Sequence, residues 1–489
     1  MAVIGIDLGG TKITGVLFDE KGKTLCRRIL INLTILIFAS CLANAQTLSV
    51  NGKASVETIL SSSGRQPFYF WANKLGQVEA LAQQNSFIHF YTESVYRLPG
   101  EKNSFFAGLN TNLRQTASSK YNLTELFGGF ESKFFRITGG LFADSLRFSG
   151  LSPSNGNFDI TRNAPPHPRV RIGSNKFIRI GSTNFSVAGM YEDGILEKNR
   201  IIPKARLHHK NLSLRMGSLQ SLQVTAGLDH FVFWGGDIDG DLHRENLKNY
   251  LKAIFSGSYT IEELGIPNAL GNQLGQYQLS FGKSMKKMNA TFQISHIFED
   301  GSGTYLMNYP DNLYTLFLDL KSCKLIRKIL VEYVHTLHHS GPTRDPETGE
   351  HLPRGGDNYF SHSQYQSGFT YRGFIIGTPL FGPVRYTNSG IPHGPENNRF
   401  TAFHFGASGE IAHLLQYRLM TTYSRNRGRL SPKYEKVRNQ FYSLAALKYT
   451  FGKAKNLHAE MQFAFDRGTL WTANERSDAG ATVSFSYSF

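Results

Sequence analysis

Apolar and polar residues alternate along much of the chain. The pattern is cleanest in the last nine residues, where Ala481, Val483, Phe485, Tyr487 and Phe489 interleave with Thr482, Ser484, Ser486 and Ser488. Successive side chains of an extended strand point to opposite faces, so this period predicts a strand with one apolar and one polar side. Leu457, Ala459, Met461, Phe463 and Phe465 alternate in the same way with His458, Glu460, Gln462, Ala464 and Asp466. Leu415, Tyr417, Leu419 and Tyr423 alternate with Gln416, Arg418, Thr422 and Ser424. Further upstream, Val170 and Ile172 flank Arg171, and Leu212, Leu214 and Met216 interleave Ser213 and Arg215. Clusters of Gly, Pro, Asn and Asp at 152–156, 163–168, 341–356 and 379–398 break the pattern and predict loops, the last two being the longest.

A soluble sandwich alternates too, so the period leaves the solvent of each face open. Features outside the period decide it. Arg27-Arg28, an apolar stretch over 29–42 and Ala43-Asn44-Ala45 are the three parts of a secretory signal peptide, in order, which assigns 27–45 to export. Cys323 alone follows that segment, so the exported chain has no intrachain disulfide. Aromatic residues gather at strand ends, and the chain stops on Phe489 within a strand. Together these predict an all-β fold: a transmembrane antiparallel β-barrel of the cell outer membrane spanning 46–489. At roughly 25 residues per strand and connection it has about 16–18 strands. Residues 47–68 alternate weakly and are rich in Ser and Gly, which predicts a small periplasmic N-terminal element. The terminal aromatic strand resembles the signal read by the barrel assembly machinery, an expected partner during biogenesis.

Residues 2–19 read as a strand, a Gly-Gly turn and a second strand. This opening resembles the N-terminal fragment of the ROK family of sugar kinases, whose phosphate-approaching turn is matched by Asp7, Gly9, Gly10, Thr11 and Lys12. The resemblance ends within 30 residues. The Asn-Asp context of a ROK catalytic Asp and a Cys-rich zinc motif are missing from the chain. Residues 1–26 are therefore expected to be a foreign leader joined to an exported protein, with a sugar kinase as a remote alternative.

Composition narrows the partners. Lys and Arg number 53 against 37 Asp and Glu, a formal charge of +16 that favours polyanions. For an exported barrel these are acidic polysaccharide and lipopolysaccharide in outer-membrane lipid, not nucleic acid. A mean hydropathy of −0.29 excludes a polytopic helical membrane protein and is compatible with a barrel, where only alternate residues meet lipid.

Several stretches look like the capsule-assembly (Wzi-type) outer-membrane proteins. They are 66–73 (Gln66 to Asn73), 204–210 (Lys204 to Lys210), 227–236 (Gly227 to Gly236), 270–275 (Leu270 to Gly275) and 356–360 (Gly356 to Phe360). The resemblance spans essentially all of 46–489. It implies an outer-membrane barrel of about 18 strands, with a small periplasmic helical element, that binds capsular polysaccharide like a lectin and assists capsule assembly. It carries over no catalytic residue and no cofactor.

If the apolar rows face lipid, parity turns Arg169, Arg171, Arg179, Arg215, Arg418 and Lys448 into the lumen. Guanidinium groups pair bidentately with carboxylates and phosphates, so these six are the candidate polysaccharide contacts. The alternative is that they fill the lumen through ion pairs with inward Glu460 and Asp466, and a porin-like diffusion channel is the rival function on the same fold. His208 and Lys210 share parity with the lipid-facing leucines, which predicts a place at the headgroup rim.

Three further motifs predict no site. Gly282-Lys283-Ser284 resembles the end of a P-loop, but Tyr277 stands where the first Gly is required. Asp237, Asp239 and Asp241 have calcium-loop spacing, but Leu242 replaces the turn Gly and Lys248 the bidentate Glu. His335, His338 and His339 read as a solvated strand end, because a strand splits 338 from 339 across the sheet.

Overall fold

A computed structural model describes residues 3–9, 12–18 and 48–489, apart from 101, 238–244, 262–265, 300, 342, 345–347, 353–354, 453–454 and 473. Residues 27–45, read from the sequence as a signal peptide, the remainder of 1–26 beyond its two strands, and Asp239 and Asp241 lie outside the described residues. Val3–Gly9 and Lys12–Phe18 pair as an antiparallel hairpin.

Eighteen antiparallel strands close into one barrel. In chain order they are β1 Leu48–Ser61, β2 Gln84–Arg97, β3 Ser104–Gln115, β4 Ser119–Glu131, β5 Phe135–Leu141 and β6 Pro168–Ser174. There follow β7 Phe185–Ile195, β8 Arg206–Gly217, β9 Gln223–Trp234, β10 Asn272–Ser284, β11 Met288–Phe298 and β12 Asn312–Leu320. The last six are β13 Lys328–His335, β14 Phe400–Ala412, β15 Leu415–Gly428, β16 Lys433–Phe451, β17 Leu457–Gly468 and β18 Arg476–Ser488. Ile178–Arg179 continues β6 along β7. The barrel closes where β18 pairs with β1, from Ser488 opposite Lys53 to Gly480 opposite Ser61.

This closure corrects the reading of 47–68 as a periplasmic element, because Leu48–Ser61 is a wall strand. Its outward row, Ala54, Val56, Thr58 and Leu60, is small and partly polar, which is why its alternation reads weakly. Gly52, also outward, is covered by the Phe489 ring: a Cβ there would stand 2.2 Å from that ring.

The two ends of the barrel differ. One carries the start of β1, the end of β18 and short connections such as 132–134, 285–287 and 413–414. The other carries the long connections 62–83, 142–167, 235–271 and 336–399. Short periplasmic turns and long external loops are the rule for outer-membrane barrels, which orients the chain.

The parity reading holds along the wall. Leu419, Tyr423, Leu447, Met461, Phe463, Phe465, Val483 and Phe485 are exposed on the outside, as are Val170, Ile172, Leu212 and Leu214. Their neighbours Thr422, Ser424, Gln462, Asp466, Thr482 and Ser486 are buried inside. Such a wall of exposed apolar side chains far exceeds the few hundred Å² of patch that a water-soluble monomer presents, and its natural solvent is hydrocarbon.

Candidate functional site

Three of the long connections turn into the lumen and fill its outer half. Residues 62–83 enter with the short helix α1 (Phe68–Trp71), and 142–167 and 336–399 pack against them. Phe158, Tyr359, Phe360, Phe369 and Phe381 from these loops share one buried cluster with Ile59, Phe87, Phe231, Phe233, Leu274, Val334, Phe400 and Tyr442 from the wall. Phe68 stacks on Tyr442 at 4.2 Å between centroids, and Phe360 lies 4.2 Å from Phe381. Aromatic rings in such contact bury one another and build a dry core between the loops and the wall inside the lumen.

Polar contacts fix the plug where apolar ones stop. The backbone N–H of Phe68 donates to Asp466 Oδ2 at 2.7 Å, and Tyr69 Oη lies 2.6 Å from Thr422 Oγ1. Ser152 and Ser154 donate to Glu332 Oε1 at 2.7 and 2.9 Å. Ala143 N–H donates to Glu125 Oε1 at 2.8 Å, and Ser63 Oγ to Asp478 Oδ1 at 2.5 Å. Asp311 gathers the long connection: it accepts from the N–H groups of His338 and His339 and from Tyr359 Oη, and stands 2.8 Å from His335 Nδ1. Those three histidines thus anchor a loop, and the described residues contain no group of three or more His, Cys, Asp or Glu placed to hold a metal ion. Gly282-Lys283-Ser284 lies at the end of β10, as strand.

Toward the periplasmic end the lumen is wetter. Lys53, Glu57, His89, Glu93, Arg136, Arg418, Lys448 and Glu460 point inward and keep partial exposure. A recess of about 270 Å³ opens there between Glu93, Lys102, Glu131 and Arg136.

The six predicted basic residues do not converge. Arg169 and Arg171 on β6 point inward and form a buried ladder with Asp144 and Glu192. Arg169 contacts Glu192 Oε1 at 3.1 Å and Asp144 Oδ2 at 3.2 Å, and Arg171 contacts Glu192 Oε2 at 2.6 Å and Asp144 Oδ1 at 2.7 Å. Beyond it His209 Nε2 lies 3.0 Å from Asp229. Burial pushes the Asp144 carboxyl up, but Arg169 and then Arg171 pull harder and hold it well below the usual carboxylate range. Two cations are balanced by two anions, so this pair of arginines fastens the plug loop to the wall and leaves no net charge for a ligand. Arg179 donates to the Thr183 carbonyl within its own turn, and Arg215 lies over the Phe177 ring at 3.5 Å. Arg418 pairs with Glu460 at 3.4 Å, and Lys448 sits opposite Glu460 in register. Asp466 takes the Phe68 N–H instead of an arginine.

A different basic pair sits at the outer mouth, above the plug. Arg385 lies on the short strand Val384–Tyr386, paired with Pro392–Pro395, and its guanidinium donates to the carbonyls of His393 at 2.7 Å and Pro395 at 3.3 Å. Arg429 follows β15 and donates to Asn358 Oδ1 at 3.4 Å, an oxygen also held by Asn398 Nδ2 at 2.6 Å. Burial, then the neighbouring Arg385, pushes the Arg429 guanidinium down to about 10. Burial followed by both arginines lowers the His393 imidazole. The two half-buried guanidinium groups donate to neutral acceptors, and the one carboxylate that acts on Arg385, Glu396, is itself paired with Arg438 at 3.3 Å, so the cluster keeps a positive excess that suits a carboxylate or phosphate. Residues 379–398 read only as a loop in sequence; nothing local says that Arg385 and Arg429 meet.

His208 and Lys210 face outward as parity requires, but His208 is fully buried. Helix α2 (Leu247–Ile254), from the 235–271 connection, lies over them on the outer wall: Lys210 Nζ donates to the Ile254 carbonyl, and Tyr250 Oη to Asp193 Oδ2 at 2.7 Å.

No protein-family profile matches the sequence, and no curated protein is significantly similar to it. Solved structures are. One is Wzi of Escherichia coli, described as an outer-membrane protein involved in Group 1 capsule assembly and a carbohydrate-binding β-barrel; it is 11% identical with a TM-score of 0.52, over 94% of this chain and 87% of that one. OpdQ of Pseudomonas aeruginosa is 10% identical with a TM-score of 0.48, over 90% and 98% of the two chains. OccAB3 of Acinetobacter baumannii is 10% identical with a TM-score of 0.47, over 90% and 99%. At such identities the likeness establishes the fold: this chain is a large closed antiparallel β-barrel of the outer membrane.

Proposed function

We propose that the protein is a plugged outer-membrane barrel that holds an acidic capsular or surface polysaccharide at the cell face and assists its attachment, as a binding protein and not a diffusion channel. The observation that carries this reading is the aromatic plug, which occupies the outer half of the lumen where a porin needs water. The Arg385–Arg429 pair supplies the ligand field on the external side of that plug, and the carbohydrate binding described for Wzi supports the same reading. In this reading residues 27–45 are the removed signal peptide, 1–26 a foreign leader and 46–489 the functional barrel. The strand ending on Phe489 is the one the assembly machinery engages.

The test is retention of the detergent-purified barrel on immobilised uronate-bearing polysaccharide against a neutral glucan. Binding to the acidic polymer is expected, weakened by salt. Arg385→Gln with Arg429→Gln removes two charge-assisted contacts of about 1.5–3 kcal/mol each, hence about a hundredfold or more in affinity. Equal retention on both polymers, or an unchanged affinity in the double variant, contradicts the reading.

A further inference from the structure

Helix α2 is turned the wrong way round for water. Its side toward the barrel carries Asn249, Tyr250, Ala253 and Ile254, whereas Leu247, Leu251 and Phe255, four residues apart on one stripe, are 70%, 44% and 74% exposed, the Phe255 ring also meeting Lys210 Nζ of the wall at 5.3 Å. The helix is firmly seated on the outer wall in this orientation. Asn246 caps it by accepting the Asn249 N–H, the Tyr250 ring lies 5.1 Å from Trp234, and Gln273 donates to the Ala253 carbonyl at 3.1 Å. Val232, Ala253 and Leu270 are sealed beneath it. Lys248 and Lys252, one turn apart, run along one edge of the exposed stripe.

The neighbouring 299–311 connection behaves alike. Asn308 is buried and donates to the Ile297 carbonyl and to Tyr359 Oη, both at 2.7 Å. Around that anchor Tyr305, Leu306, Met307 and Tyr309 are exposed, and the Thr304 carbonyl accepts from the outward Tyr277 of β10. Both segments lie at the outer end of the wall that carries exposed Leu212, Leu228 and Leu279, so their apolar side chains continue the lipid-facing surface upward over one sector of the barrel.

We propose that helix α2 and the turn at Tyr305–Tyr309 form a one-sided collar seated in the outer leaflet, where Lys248 and Lys252 hold the phosphates of an anionic glycolipid of the lipid A class. Apolar side chains edged by basic ones, on a helix lying along the surface, are the pattern of an interfacial helix, and aromatic residues favour the same depth. The collar rests on the membrane location alone and is independent of the polysaccharide reading.

The test uses full-length protein in bilayers with brominated acyl chains, with and without lipid A. The added fluorescence of Phe255→Trp, compared with wild type, is expected to be quenched by bromines near the headgroup and spared by aqueous iodide. Lys248→Glu with Lys252→Glu is expected to retain about tenfold less lipid A by native mass spectrometry, with unchanged heat-modifiable migration showing an intact barrel. Three results overturn the proposal. They are quenching by iodide without quenching by bromine, protection from both with a doubled mass in detergent (which would mean a second copy covers the collar), and undiminished lipid A on the charge-reversed variant.

Discussion

Replacing Glu192 by Gln keeps the shape of the side chain and removes one charge from the ladder of Asp144, Arg169, Arg171 and Glu192. Glu192 is 2% exposed and Arg169 7%, and the two contacts Glu192 makes with the arginines are 3.1 and 2.6 Å. At an effective dielectric of about 20, each contact near 3 Å is worth about 5 kcal/mol of gross attraction, most of which offsets the cost of taking the ions out of water. Breaking a buried pair leaves that cost uncompensated, by about 3–5 kcal/mol. The lower end, about 3 kcal/mol, is expected here because Arg171 is 23% exposed and Asp144 stays in place. Urea unfolding of barrels refolded into phospholipid bilayers measures it. Adding Arg171→Gln restores neutrality, so the double variant is expected to cost at least about 1 kcal/mol less than the sum of the singles. A loss below about 0.5 kcal/mol for Glu192→Gln, or strict additivity, would refute the view that this ladder clamps the plug.

Adjacent residues on β18 test the wall. Val483→Arg places a charge in hydrocarbon and is expected to cost about 2–4 kcal/mol near mid-depth, whereas Ser484→Arg, inward between Glu57 and Glu460 in register, is expected to cost under about 1, both read by the same urea titration. His167, buried at the entry to β6, has its pKa pushed down to about 3 by burial and then by Arg169. Below pH 6.5 the unfolded chain takes up a proton that the native imidazole refuses until near pH 3, so stability falls as pH drops through that window. His167→Asn is expected to lose about 2 kcal/mol less than wild type between pH 7 and pH 5; parallel losses would contradict the burial argument.

What was legible in the sequence is what a local period encodes. Val483 against Ser484, or Val170 against Arg171, is enough to assign faces, because each strand must show one side to lipid and the other to the lumen. The inward direction of Arg169, Arg171, Arg418 and Lys448 followed from the same rule. Their roles did not, because a strand's parity says nothing of what stands opposite: Asp144 comes from a loop and Glu192 from β7, whose outward row of Val187, Gly189, Tyr191 and Asp193 hides its period. The plug was illegible for a related reason. Tyr359, Phe360, Phe369 and Phe381 have no spacing that marks them as core, since they are buried by loop geometry and not by a face. Helix α2 has an apolar stripe, but one seated on a lipid-facing wall reads in sequence like any surface helix.

The account stands or falls on whether the outer half of the lumen is sealed. Single-channel recording in planar bilayers tests this most directly: the intact barrel is expected to insert without resolvable conductance, and deletion of the plugging part of the 336–399 connection is expected to open steps. Stable, large conductance steps from the unaltered protein would contradict it.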